Sequence, residues 1–159
     1  MWKGDDFEWL FEIGSRIYFN VFENAPQLKR FFPYIYANGR EQENWKESKG
    51  FRQQSLRLVQ VIGNCVEMLQ GSCCGHQDMI KSMRSLLLRV GHVHRLYSTR
   101  GFTASDWQHF RIAALEVLRS QLTRMSLFET ESASAMAAWT KLINYIISTM
   151  EFGYVHDGF

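Results

Sequence analysis

Met83, Leu87, Val90 and His94 recur at i, i+4, i+7 and i+11, which places them on one face of a helix. No other stretch constrains the fold so sharply, because an apolar stripe that must face a core ends in an imidazole. A buried ring nitrogen without a partner is costly. Two arrangements satisfy it: a core histidine bonded to a backbone carbonyl, or a metal ligand, a role that neutral imidazole fills often. His92 precedes His94 by two residues, a rotation of about 200° on a helix. Only one of the pair can therefore face whatever the stripe faces, and the stripe selects His94.

Helical periodicity recurs along the chain, and no segment alternates with period two over the length of a strand. Residues 5–25 read as a helix with Phe7, Leu10, Phe11, Ile13, Ile17, Tyr18, Val21 and Phe22 inward. Asp5 and Asp6 suit its N-terminus, where carboxylates favour the helix dipole. Pro26 opens a short helical piece that Pro33 ends. Residues 37–50 are polar and read as a connection with one loose turn. A long helix from Ser48 to Gln70 carries Phe51, Ser55, Leu58, Ile62, Cys65, Val66 and Leu69 on its apolar face, and Gln54 lies on that face too. An inward amide needs hydrogen-bond partners or a ligand. Further helices are expected over 78–95, 105–123 and Ser132 to Phe152, with Gly101 marking a turn and Thr103 to Asp106 a capping box. Residues 153–159 read as a frayed tail.

The chain is thus an all-α domain of six helices over residues 1–152. A formal net charge of +2 in 159 residues gives no argument for nucleic acid or an acidic membrane surface. No run approaches the roughly 18 apolar residues of a membrane span. The three cysteines, Cys65, Cys73 and Cys74, make no disulfide framework, so a reducing, cytoplasmic setting is the default. Adjacent Cys73 and Cys74 suit a redox pair, a soft metal or simply a loop.

The order and spacing of several motifs resemble the globin family over nearly the whole chain. Gly14-Ser-Arg-Ile-Tyr-Phe-Asn-Val-Phe-Glu-Asn-Ala-Pro26 is similar to the family's second helix running into its third, and Phe32 to the phenylalanine that stacks on the haem. Phe51 to Ile62 resembles the distal helix. Val90-Gly-His-Val-His-Arg95 resembles the proximal segment, in which a glycine precedes the iron-binding histidine by three. Gly101-Phe102 with Trp107 resembles the start of the next helix, and Ala137-Ala-Trp139 the final helix of many invertebrate globins. Trp2 matches a tryptophan late in the family's first helix, which implies that most of that helix is missing ahead of Met1. The segment from His94 to Phe102 is longer than in common globins.

The resemblance implies a 3-on-3 globin fold holding haem b (iron protoporphyrin IX), with His94 as the proximal iron ligand. It places Phe32, Gln54, Arg57, Leu58, Val90, Phe102 and Trp107 around the haem, with Arg57 either solvated or reaching a propionate or the ligand. His76, His109 and His156 match no haem position. No histidine between residues 1 and 75 can occupy the distal side, so the deoxy iron is expected to be five-coordinate. Tyr18 and Gln54 fall at the distal positions, as in nematode globins that hold oxygen tightly. Dioxygen on ferrous iron gains partial negative charge and rewards donors aimed at it, and a phenol hydroxyl and an amide are both donors. Alternatively, the two bond to each other and fill space. The function implied is reversible binding of dioxygen or other small gases, for storage or transport, rather than catalysis. Sensing, or conversion of nitric oxide with a reductase partner, are other uses of such a site. A homodimer is compatible with it, and a haem-free helical interaction module is the competing class.

Overall fold

Each helix begins and ends for a local reason. Helix α1, Phe7–Asn24, starts where the Asp6 carboxylate accepts the backbone N–H of Trp9 at 3.0 Å, satisfying one of the donors that a helix start leaves open. It stops before Pro26, which opens a 3-10 stretch, Pro26–Phe31. Helix α2, Lys49–Gln70, follows, and α3 covers His76–His94. A further 3-10 stretch, Arg95–Arg100, ends at Gly101, whose φ of 87° is the left-handed conformation that glycine tolerates. The expected capping box is present: Thr103 and Asp106 exchange bonds around the 3-10 turn Ala104–Asp106, which leads into α4, Trp107–Arg124. Helix α5 is Glu129–Val155. The computed structural model describes residues 2–70, 76–125 and 128–156; Cys73 and Cys74 lie outside them.

Four expectations are corrected. The connection over 37–50 contains a small antiparallel hairpin, β1 (Tyr36–Ala37) with β2 (Arg40–Glu41), turned by Asn38 and Gly39 at φ 53° and 77°. Two-residue strands are too short to show alternation, although Asn-Gly is a strong hairpin signal. Second, Val155 rather than Phe152 ends the last helix, because Gly153 is buried where its helix crosses α3; the frayed tail cannot begin at 153. Third, His76 opens α3 rather than lying in a loop. Fourth, Phe7 and Leu69 are 66% and 47% exposed, since each lies at a helix end with no facing element.

Helix α1 packs on α2 and α4, and both α3 and α4 pack on α5. Two of these crossings are backbone on backbone. A Cβ on Gly14 would stand 2.4 Å from the Ser55 carbonyl oxygen, which brings α1 against α2. A Cβ on Gly91 would stand 2.0 Å from the Met150 oxygen, and one on Gly153 would stand 2.3 Å from the Leu88 oxygen, so α3 lies against α5. The core between these crossings includes Ile13, Ile17, Phe51, Val59, Leu87, Leu118 and Ile143, all almost fully buried. No helix among the described residues is long and apolar enough to cross a membrane.

Candidate functional site

The crossing of α1 on α2 builds one wall of the site. Tyr18 lies one turn after Gly14, and Gln54 precedes Ser55, so closing the helices there brings the two side chains together. Gln54 Nε2 donates to the Tyr18 hydroxyl at 2.8 Å. The phenol oxygen is used as an acceptor, which keeps its own proton free to donate elsewhere, as is the second amide proton of Gln54. Tyr18 is only 3% exposed. Phe22, Phe32 and Phe110 surround its ring, with centroids at 5.6, 5.6 and 5.4 Å. Burial raises the hydroxyl well above the usual phenol range, while the Gln54 bond and the nearby Arg57 guanidinium pull the other way. Tyr18 therefore keeps its proton at any physiological pH and has it available to donate.

The crossing of α3 on α5 builds the opposite wall. Gly91 sits one turn before His94, at the end of α3. The His94 Nδ1–H donates to the Val90 carbonyl at 2.7 Å. A carbonyl can only accept, so the bond fixes the tautomer and leaves the lone pair on Nε2. Burial holds the ring below the usual imidazole range, with the Val90 bond opposing that shift in part. The result is a neutral, oriented imidazole. His92 is exposed, as its rotation on the helix requires.

An aromatic wall joins the two sides. The Trp107 ring lies 4.7 Å from His94, Phe102 lies 6.1 Å from it, and the two rings meet at 5.3 Å. Trp107 meets Phe110 at 6.3 Å, and Phe110 reaches Tyr18. Phe102 is pinned in turn, since the Tyr154 hydroxyl donates to its carbonyl at 2.6 Å. Leu58 and Val90 are half-buried against this core. Arg57 is exposed at the rim and has no carboxylate partner among the described residues. Of the residues singled out from sequence, the aromatic wall thus connects Tyr18, Phe32 and Gln54 on one side with His94, Phe102 and Trp107 on the other. Phe110, the residue that connects the sides, carries no motif that would single it out in the sequence. Tyr34 had not been singled out at all.

The donor set has a chemical consequence. No group of three histidine, cysteine or carboxylate residues that could hold a metal ion exists among the described residues. A single oriented imidazole in an apolar, aromatic setting suits a metal that brings its other ligands with it, as haem iron does. Among the described residues, the buried polar atoms without a partner include the Ser55 hydroxyl at the α1–α2 crossing, the Trp107 indole nitrogen and the Tyr34 hydroxyl. Buried donors are normally satisfied, so the last two fit a site completed by a bound group. His156, by contrast, stacks on Phe152 at 4.1 Å on the exposed end of α5.

A family model described as Globin matches residues 15–150, the span that contains both walls and the aromatic bridge. No curated protein matches the chain. A matched span of that extent, inside an all-α fold, makes this chain a member of the globin family.

Proposed function

We propose that this globin holds haem b through His94 Nε2 and binds dioxygen reversibly and tightly, as a carrier or store rather than an enzyme. Haem binding and oxygen-related chemistry follow from the family; the finer reading rests on the hydrogen bond from Gln54 to Tyr18. When bound, haem supplies an iron atom with one coordination site open to a diatomic gas. The chain's residues decide how firmly that gas is kept. Gln54 orients the Tyr18 hydroxyl by donating to its oxygen, which leaves the phenol proton for the ligand. Its second amide proton is a further donor. Phe22, Phe32, Phe110 and Leu58 exclude water, which strengthens both donors and protects ferrous iron from oxidation. The pairing is that of nematode-type globins, and the ligands are small gases in a cytoplasmic setting.

A hydrogen bond to a ligand carrying partial charge contributes about 1.5–3 kcal/mol. Each 1.4 kcal/mol is a factor of about ten, so the Tyr18 hydroxyl slows oxygen release by at least about tenfold. Purified protein is expected to be red with a strong Soret band. Stopped-flow measurement of oxygen dissociation should show slow release, accelerated at least about tenfold in Tyr18→Phe. A colourless protein that does not take up added haem would refute the haem reading, and an unchanged off-rate in Tyr18→Phe would refute the distal one.

A further inference from the structure

One polar group beside the distal wall has no task in the reading above. The Tyr34 hydroxyl is buried and has no hydrogen-bond partner among the described residues, a costly state for a donor. Its ring is seated with little freedom: a Cβ on Gly50 would stand 2.6 Å from the Cγ of Tyr34. Gly50, Gln54 and Arg57 follow at i, i+4 and i+7, so they form one stripe along α2. Tyr34 therefore stands over the turn that precedes Gln54, on the face that carries both Gln54 and Arg57. From the other side, the Phe32 ring lies 5.6 Å from Tyr18 and 5.8 Å from Tyr34, which separates the two phenol rings by a single aromatic side chain. Burial raises the Tyr34 hydroxyl far above the usual phenol range; the Tyr18 hydroxyl adds to the shift and the Arg57 guanidinium opposes it. Tyr34 thus keeps its proton.

We infer that Tyr34 is a third distal donor, whose hydroxyl completes its hydrogen bonding on the small acceptor ligand that Tyr18 and Gln54 hold. The inference rests on the assignment of Tyr18 and Gln54 as ligand donors. It extends the chemical class of ligand. Donors brought from α1, α2 and the segment after Pro33, with a guanidinium at the rim, suit an acceptor that carries negative charge. Small anions such as azide should accordingly bind the ferric protein with help from Tyr34, whereas carbon monoxide gains less.

The test compares wild type, Tyr34→Phe and Tyr18→Phe as holoproteins, by the infrared stretch of bound carbon monoxide and by the oxygen off-rate. Tyr34→Phe keeps the ring and its packing on Gly50. It should raise the C–O stretch, speed oxygen release by about threefold to tenfold and weaken azide binding by a similar factor. Tyr18→Phe should shift the first two readings further. If Tyr34→Phe matches wild type in all three while Tyr18→Phe shifts, Tyr34 is not a donor and the Tyr18 assignment stands. If neither variant shifts, both assignments fall. Should Tyr34→Phe fail to retain haem, Gly50→Ala decides, because it keeps the hydroxyl but displaces it from its seat. A C–O stretch raised in Gly50→Ala supports the proposal, and a stretch at the wild-type value overturns it.

Discussion

The two walls of the site are held together by the same device and oriented by different ones. Both depend on a glycine that lets two helix backbones touch, Gly14 for α1 on α2 and Gly91 for α3 on α5. On the proximal side, however, the functional side chain is oriented within its own helix, by the bond from His94 to Val90 four residues earlier. On the distal side the orienting bond runs between helices, from Gln54 to Tyr18 across 36 positions of sequence. Their surroundings differ as well. Behind the distal wall, Ile35 and Trp45 are buried under the hairpin segment, whereas Leu96 in the stretch after His94 is 73% exposed. His94 is thus oriented by its own helix, whereas the meeting of Gln54 with Tyr18 depends on where α1 crosses α2.

Removing the proximal nitrogen tests the first half of that contrast and carries the largest expected effect. His94→Ala should abolish haem retention, read as loss of the Soret band, because the single ligand disappears. His92→Ala should leave the band intact. The reverse outcome would mean that the helix register is wrong. Next come the crossings. Gly14→Ala and Gly91→Ala each set a methyl group against backbone rather than against a flexible side chain, and overpacking of this kind typically costs about 1–3 kcal/mol, occasionally more. Thermal unfolding should report destabilisation in both. Only Gly14→Ala should also quicken oxygen release, because that crossing brings Gln54 to Tyr18. Equal off-rates in the two variants would erase the contrast drawn here.

A finer cut separates the members of the distal pair. Gln54→Leu removes one ligand donor and the amide that orients Tyr18. Tyr18→Phe removes the hydroxyl and leaves the half-buried amide of Gln54 without its partner. Because the phenol is the buried member of the pair, Tyr18→Phe should speed oxygen release more, by at least about tenfold, with Gln54→Leu nearer threefold to tenfold. If Gln54→Leu had the larger effect, the amide would be the principal donor and the phenol its support.

What sequence made legible follows the same division. The stripe Met83, Leu87, Val90 and His94 lies within one helix, so period alone places His94 inward and His92 outward, and the structure agrees. Gln54 was legible as an inward amide for the same reason. Its meeting with Tyr18 was not, because a contact between helices depends on where they cross. The crossing is set by Gly14 and Ser55, which no periodicity marks as a pair. The resemblance supplied that pairing by position. Tyr34 was illegible because its neighbours come from other elements: Gly50 beneath it and Phe32 beside it. The hairpin was missed because strands of two residues carry no pattern, though Asn38-Gly39 gave its turn away. Phe7 and Leu69 fit their stripes yet stay exposed, since a stripe is buried only as far as a facing element extends.

The smallest expected effect concerns the cover behind the distal wall. Glu41, at the end of the hairpin, accepts from Lys29 Nζ at 2.9 Å and from the Trp45 indole nitrogen at 2.7 Å. Trp45 packs on Phe22, at 5.6 Å, and on Phe51, at 5.0 Å, two of the rings beside Tyr18. The Lys29 hydrogen bond is the main cause that holds the Glu41 carboxyl below its ordinary value; desolvation opposes it next, and the Trp45 hydrogen bond and the charges of Lys29 and Lys46 add to the lowering. A carboxyl lowered on folding adds stability above its unfolded value, and that stability is lost as pH falls through the folded value. Lys29→Met should therefore cost about 0.2–1 kcal/mol near neutrality, the range of solvent-exposed ion pairs. The difference from wild type should shrink below about pH 4, where Glu41 protonates in the unfolded chain first. Oxygen release should change by less than about twofold, because Trp45 keeps its hydrogen bond to Glu41 and its packing on Phe51. A larger change in off-rate would show that the distal pair depends on its cover as strongly as on the helix crossing beneath it.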